Sequence, residues 1–166
     1  MNTKSPAMED VFRAFVEKWT HPSYRPDPVP ESVLIQLEQN LKSRLPLSYK
    51  KFLQEFGPVS TTLSLLSSIV EQSLAIHNLS EFLAPGDVVE QTRAWQPLGL
   101  PADCISFGID ASGSMFCFSR ATLSETELDD VGVLFFDHDE GTVTSISKCF
   151  VDWLRELAEI PNIENS

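Results

Sequence analysis

Four consecutive polar residues, Asp137-His138-Asp139-Glu140, are the cluster in this sequence whose side chains could ligate a metal or transfer a proton. A protein metal site needs ligands that converge from different elements or recur at helical spacing. Four neighbours in one turn cannot all face a single ion, and the other two histidines stand apart in the sequence. We therefore predict no metal and no cofactor, and we expect the His138 ring to bond a neighbouring backbone group.

A hydrolytic site would need a nucleophile beside a base, and its candidates are Cys117 or Cys104 with His138 and an acid. Cys117 lies between two phenylalanines in a strand-like pattern, where nothing in view activates a thiol. The odd number of cysteines, with apolar neighbours, indicates buried thiols rather than a disulfide or zinc framework. The sequence also has no phosphate-binding loop and no nucleotide fingerprint. We predict that the protein is not an enzyme.

The stretch 131–157 predicts the elements that hold the acidic turn. Its β-branched and aromatic start is typical of a buried strand, and alternation over 142–146 predicts the returning strand of a hairpin. After Ser147, a predicted N-cap, apolar residues recur at helical spacing. A second hairpin is predicted around the turn 110–113, because apolar residues alternate on both sides of it.

Helical periodicity dominates the first half of the chain. An apolar stripe over 11–19 predicts a helix, which a proline-rich connector ends. Pro30 and Leu45-Pro46 each open a further helix, and Gly57-Pro58 stops the second of these.

The middle of the chain is less regular. Within 59–86 we predict a strand or the end of a loop at 63–66, a short strand at 74–76, and a turn of helix from Ser80 to Leu83. A short helix is predicted over 88–95, and a polar acidic loop over 121–130.

The predicted elements come in the order helices, antiparallel meander and closing helix. This order predicts an α+β fold. We expect the N-terminal helices to pack on a mostly meander antiparallel sheet that the C-terminal helix closes. Residues 1–29 form an N-terminal helix and connector, expected to belong to the same domain. Residues 30–160 form the α+β domain, and 161–166 form a flexible tail.

The charge of the chain is strongly negative, with 24 acids against 12 bases and a formal net charge of −12. The half from 84 to 166 carries fifteen of the acids and four of the bases. Such a surface repels nucleic acid and anionic membranes and attracts basic proteins, although it can also serve only for solubility. No apolar run is long enough to cross a bilayer, and no signal core opens the sequence. We expect a cytoplasmic protein.

Three blocks of the sequence carry a resemblance to a known superfamily. The first is Leu45-Pro46-x-x-Tyr49-x-x-Phe52-Leu53-x-x-x-Gly57, and the second is the hairpin over 105–118. The third is the strand and acidic turn over 133–140, followed by Cys149-Phe150-x-x-Trp153-Leu154. In order and spacing, over residues 30–158, they resemble the SUKH superfamily, which includes bacterial toxin-immunity proteins and a fungal cell-wall regulator.

The resemblance implies a non-catalytic immunity-type protein that binds and neutralises a cognate protein toxin. The acidic surface favours a basic, nuclease-like toxin, and the alternative is a regulatory or scaffolding module without a toxin partner. We favour a monomer, and we expect that reversing Asp129 and Asp130 to lysine would slow association while leaving stability nearly unchanged. The predicted partner-binding residues are Asp110, Glu125, Glu127, Asp129, Asp130, Asp139 and Glu140, with Trp95 as an apolar anchor.

Overall fold

The computed structural model describes residues 7–125 and 129–165. The helices are α1 Met8–Trp19, α2 Glu31–Leu41, α3 Leu47–Phe56, α4 Leu63–Glu71, α5 Pro85–Trp95, α6 Arg120–Glu125 and α7 Phe150–Glu159. The strands are β1 Glu81–Phe82, β2 Cys104–Ile109, β3 Met115–Ser119, β4 Val133–Asp137 and β5 Thr142–Ser147, and short 3-10 turns occupy Pro22–Tyr24, Gln96–Leu98 and Ile163–Asn165. Within the described ranges, no helix combines the length and the apolarity that spanning a bilayer requires.

The strands form one antiparallel five-stranded sheet in chain order, so each strand pairs with its sequence neighbours. Both predicted hairpins are confirmed, and with them the α+β fold. One face of the sheet packs in the main core, through side chains that include Phe107, Phe118 and Phe135. The opposite face holds a smaller cluster, made of Leu100, Cys104, Met115, Cys117 and Phe136, against which Trp95 of α5 packs.

Helix α1 inserts its whole apolar stripe into the main core, where Phe12, Phe15 and Trp19 are buried. The indole Nε1 of Trp19 donates a hydrogen bond to the carbonyl oxygen of Leu157 at 2.7 Å, which ties α1 to α7. Burial of each such side chain contributes roughly 1.5–3 kcal/mol. The N-terminal helix is therefore part of the same hydrophobic core as the sheet.

Gly57 ends α3 as predicted and lets the proline-rich connector pass close by. Its φ is +72°, and a Cβ atom at this position would lie 2.3 Å from the carbonyl oxygen of Asp27. The connector is held there because the N–H of Val29 donates to the carbonyl oxygen of Leu53 at 2.8 Å. A side chain at Gly57 would break this contact.

Residues 59–86 differ from the prediction. A helix, α4, stands where the sequence predicts a strand or loop end, and Leu65 and Ile69 bury its apolar face. The segment around 74–76 forms no strand, and β1 replaces the predicted turn of helix after Ser80. β1 exists through its pairing with β2 and an isolated bridge from Ser60, so local sequence could not indicate it.

One shorter segment also differs from the prediction. The predicted acidic loop over 121–130 begins as helix α6. Residues 161 and 164, which lie in the predicted tail, contact the α4 segment: the Ser64 hydroxyl donates to Glu164 at 2.6 Å, and the Gln72 amide donates to the carbonyl oxygen of Pro161 at 2.9 Å.

Candidate partner-binding surface

The turns of the two hairpins meet at one end of the sheet. The register of β3 and β4 pairs Met115 with Phe136, which sets the turn 110–114 beside the turn 137–141. The ring Nδ1 of His138 lies 2.8 Å from the hydroxyl of Ser114, and the His138 backbone N–H donates to the same hydroxyl at 3.3 Å. The expected backbone partner of the His138 ring is thus replaced by a side chain of the other hairpin, so the two turns are fixed to each other.

One carboxylate oxygen organises each turn. Oδ1 of Asp110 accepts hydrogen bonds from the backbone N–H of Ser112 at 2.9 Å and of Ser114 at 2.8 Å. Oδ1 of Asp137 accepts from the N–H groups of Asp139 at 2.9 Å and Glu140 at 3.1 Å, as is common for aspartate in turns. Asp110 is therefore a turn former as well as a predicted binding residue.

Asp139 and Glu140 face solvent at the tip of the second turn. The side chain of Asp139 is 81 % exposed, and Glu140 is also exposed. Oδ1 of Asp139 lies 3.5 Å from Nε2 of His138. Among the described residues, this is the ion-pair contact that these two acids make. Their negative charge is therefore available to a partner.

An apolar edge adjoins these acids. The half-buried ring of Trp95 packs edge-on against His138 with centroids 5.8 Å apart, while its Nε1 donates to Gln91 at 3.1 Å. Leu98, three residues after Trp95 in the chain, is 67 % exposed. The sequence prediction omits Leu98, because nothing in the sequence marks it as exposed. We define the hairpin-tip surface by Trp95, Leu98, Asp110, His138, Asp139 and Glu140.

The remaining predicted acids lie at the opposite end of the sheet. Glu125 ends α6, and Asp129 and Asp130 precede β4, whereas the hairpin-tip surface follows it. A five-residue strand separates the two groups by roughly 16 Å, at about 3.3 Å per residue. Glu127 lies outside the described residues. Strand β4 therefore lies between Asp129 and Asp130 at one end and Asp139 and Glu140 at the other, and the binding role of these acids stays a prediction.

Asp130 has an internal structural role. Its Oδ1 accepts from the Ser48 hydroxyl at 2.9 Å and from the N–H groups of Val131 at 2.9 Å and Phe150 at 2.8 Å. Its Oδ2 accepts from the N–H of Val151 at 3.2 Å. The carboxylate thus caps the first turn of α7, where the N-cap residue, a cysteine, makes no side-chain capping bond. The predicted cap, Ser147, instead donates to the carbonyl oxygen of that cysteine.

Glu125 lies beside positive charge. It lines a groove of about 630 Å³ together with Lys42, Arg44 and Arg120. Asp129 is exposed, and its carbonyl oxygen accepts from the N–H of Ser48 at 2.9 Å. The far end of the sheet therefore mixes both signs of charge, while the hairpin-tip surface carries acids beside a histidine and apolar side chains.

The acidic turn brings potential metal ligands closer than expected. Asp137, His138 and Asp139 each offer one ligand atom, and these atoms lie within 4.8 Å of one another. The sequence-based expectation is that neighbouring residues of this turn cannot point their ligand atoms at one ion. For three of the four turn residues, the ligand atoms do lie close together. Oδ1 of Asp137 and Nδ1 of His138 are already engaged in holding the turns, however. The group is a set of turn-forming atoms on an exposed surface.

The three thiols differ in pKa, and the hydrogen bond between Cys104 and Cys117 lowers the pKa of Cys104. A hydrogen bond to Cys104, with burial, raises the pKa of the Cys117 thiol well above its ordinary value. Burial raises the pKa of Cys149 to about 11. Both of these thiols are therefore protonated near neutral pH, and within the described part of the chain no hydrogen bond joins a thiol to a histidine.

The fold and the three sequence blocks together define the class of this protein. It is an α+β protein in which helices cover a five-stranded meander sheet, and the resemblance to the SUKH superfamily implies a fold of this class. The family described as SMI1-KNR4 cell-wall (SUKH_5) matches residues 8–159, and the chain belongs to this family. The match includes helix α1, which the three blocks did not cover. The superfamily includes toxin-immunity proteins and is generally made of non-catalytic immunity or regulator proteins. A comparison with curated proteins finds no match.

Proposed function

We propose that this protein is a non-catalytic, immunity-type protein that binds and neutralises a cognate protein toxin through its hairpin-tip surface. The observation that carries the proposal is the pairing of β3 with β4, which sets the acids of two turns side by side, with the half-buried Trp95 packed against His138 of the second turn. Family membership supports it, because toxin-immunity proteins occur in this family.

The chemistry of the surface favours a basic partner. Asp139 and Glu140 supply exposed negative charge, and the net charge of −12 attracts cations over a longer range. Electrostatic attraction of this kind mainly accelerates association, whereas aromatic and aliphatic groups at the centre of a contact slow dissociation. Trp95 and Leu98 fit the second role.

A basic nuclease-like toxin is the partner class that fits best. A nuclease carries lysines and arginines where it holds phosphates, so an acidic protein that binds there competes with nucleic acid for the same surface. Neutralisation then requires only that the active site is covered. The proposal locates this encounter in the cytoplasm, and the three cysteines are free thiols, as a reducing compartment favours.

A regulatory or scaffolding module is the second candidate, and the cell-wall description of the matching family favours it. Such a module would use the same surface for a partner that is not toxic. The two candidates differ in what the partner does to a cell, and not in how it is bound.

Co-expression distinguishes them. The test co-expresses this protein with basic nuclease-type toxin domains, starting with any that its neighbouring genes encode, and measures growth and complex formation. Growth restored by wild type but not by the Asp139→Lys/Glu140→Lys variant, together with an isolable complex, supports immunity. Unrestored growth with no complex contradicts it and leaves the regulatory module.

A further inference from the structure

Strand β5 is the outer strand of the sheet and pairs with β4 alone. Residues 142–145 are exposed, and 146 and 147 are partly exposed. The hydrogen bonds found within the described residues join the β5 backbone to no other segment. Alternate N–H and C=O groups of an outer strand point away from the sheet, so β5 presents unpaired donors and acceptors to its surroundings.

The sequence of β5, Thr-Val-Thr-Ser-Ile-Ser, lacks the charges and prolines that commonly protect a sheet edge, and its irregularity is a register shift against β4 between Ser145 and Ser147. Edges are commonly blocked by lysine, proline, short length or a covering segment. The other edge of this sheet follows that rule, because β1 is two residues long and bridges to Ser60. β5 is six residues long and contains no charged residue and no proline.

Opposite charges flank β5. Glu140 precedes it in the acidic turn, and Lys148 follows it with its side chain 87 % exposed. If two copies of β5 ran antiparallel about a two-fold axis at Thr144, Glu140 of each copy would face Lys148 of the other. A parallel arrangement would instead set Glu140 beside Glu140. Strand β5 is therefore complementary to itself in the antiparallel direction.

We propose that β5 pairs antiparallel with β5 of a second copy of this chain, which joins the two sheets into one. The contact is small, and the net charge of −12 on each copy opposes it at long range. At physiological salt this repulsion is screened beyond about 8 Å, whereas contacts at the edge are not. The dimer is accordingly weak. The monomer predicted from the sequence is the main species at low concentration, and the dimer forms only at high concentration. It does not depend on the identity of any toxin.

Sedimentation equilibrium on the full chain, at physiological salt and over micromolar to millimolar concentrations, tests the pairing. Wild type is expected to shift from monomer to dimer. Thr144→Lys places two lysines at the axis and is expected to weaken the dimer by about tenfold or more. Ser23→Lys adds the same charge at an exposed position of another segment and is expected to leave it unchanged.

Charge exchange tests the register independently of any effect on folding. Glu140→Lys alone and Lys148→Glu alone are each expected to weaken the dimer, and the double variant is expected to restore it. Circular dichroism confirms that each variant is folded. A wild-type chain that stays monomeric throughout, a dimer that tolerates Thr144→Lys, or a double variant no better than the single variants would overturn the proposal.

Discussion

Asp130 joins three parts of the molecule through one carboxylate. It accepts hydrogen bonds from a serine of α3, from the segment just before β4 and from the first turn of α7. Asp129, its neighbour, is exposed, and its backbone carbonyl accepts a hydrogen bond from α3. The sequence pattern assigns both residues to partner binding, because nothing local distinguishes two adjacent aspartates before a strand.

Replacing Asp130 by alanine is expected to lower the free energy of unfolding by about 3 kcal/mol, since several donors and the α7 N-terminus lose their charged acceptor. Asp129→Ala is the matched control and is expected to change it by less than about 0.5 kcal/mol. Denaturant unfolding at neutral pH measures both. Equal, small effects for the two variants would show that the Asp130 cap contributes little. The loss of stability expected on replacing Asp130 revises the sequence-based expectation that reversing Asp129 and Asp130 to lysine would leave stability nearly unchanged.

Residue roles inside the turns were predictable where the chemistry is local. Asp137 bonds the N–H groups two and three residues ahead, which is a common habit of aspartate in turns. The bond between His138 and Ser114 joins two hairpins, 24 positions apart in the chain. Its existence depends on strand register, which the sequence of either turn cannot reveal.

At the scale of elements, regular spacing was a reliable guide. The apolar stripes of α1 and α3, the alternation in β2, β3 and β5, and the β-branched and aromatic run of β4 each produced the predicted element. Apart from helix α6, for which the sequence predicts a loop, the errors fall in 59–86, where serines dilute the apolar pattern and β1 forms only because β2 offers it an edge. An element that depends on its partner leaves no periodic signal of its own.

Gly57 provides a test of how α3 and the connector fit together. Gly57→Ala is expected to lower the free energy of unfolding by at least about 2 kcal/mol, because the φ is unfavourable and the Cβ would overlap the Asp27 carbonyl. Gly86→Ala is the control: it lies in helix α5, and beyond its chain neighbours and its own helix backbone nothing comes within 4 Å of an added Cβ atom. Thermal and denaturant unfolding compare the two. A neutral Gly57→Ala would mean that the connector does not pack there.

At the scale of the whole molecule, the distribution of charge differs from its order in the sequence. The acids between 125 and 140 look like one patch when read along the chain. Strand β4 divides them, and the far group includes the structural Asp130 and a glutamate beside a lysine and two arginines. Family membership and the hairpins were accessible from the sequence. Which acids share a surface required the fold.

Association kinetics test the central claim most directly. Two variants carry the same change in net charge: Asp139→Lys/Glu140→Lys at the hairpin-tip surface and Glu125→Lys/Asp129→Lys at the far end. Their association with a basic toxin domain that the wild-type protein neutralises is measured by stopped flow at low and physiological salt. We predict that the tip variant associates about tenfold more slowly and loses most of its salt dependence, while the far-end variant changes by less than about twofold. Equal slowing of both variants would contradict the claim, because net charge alone would then explain binding.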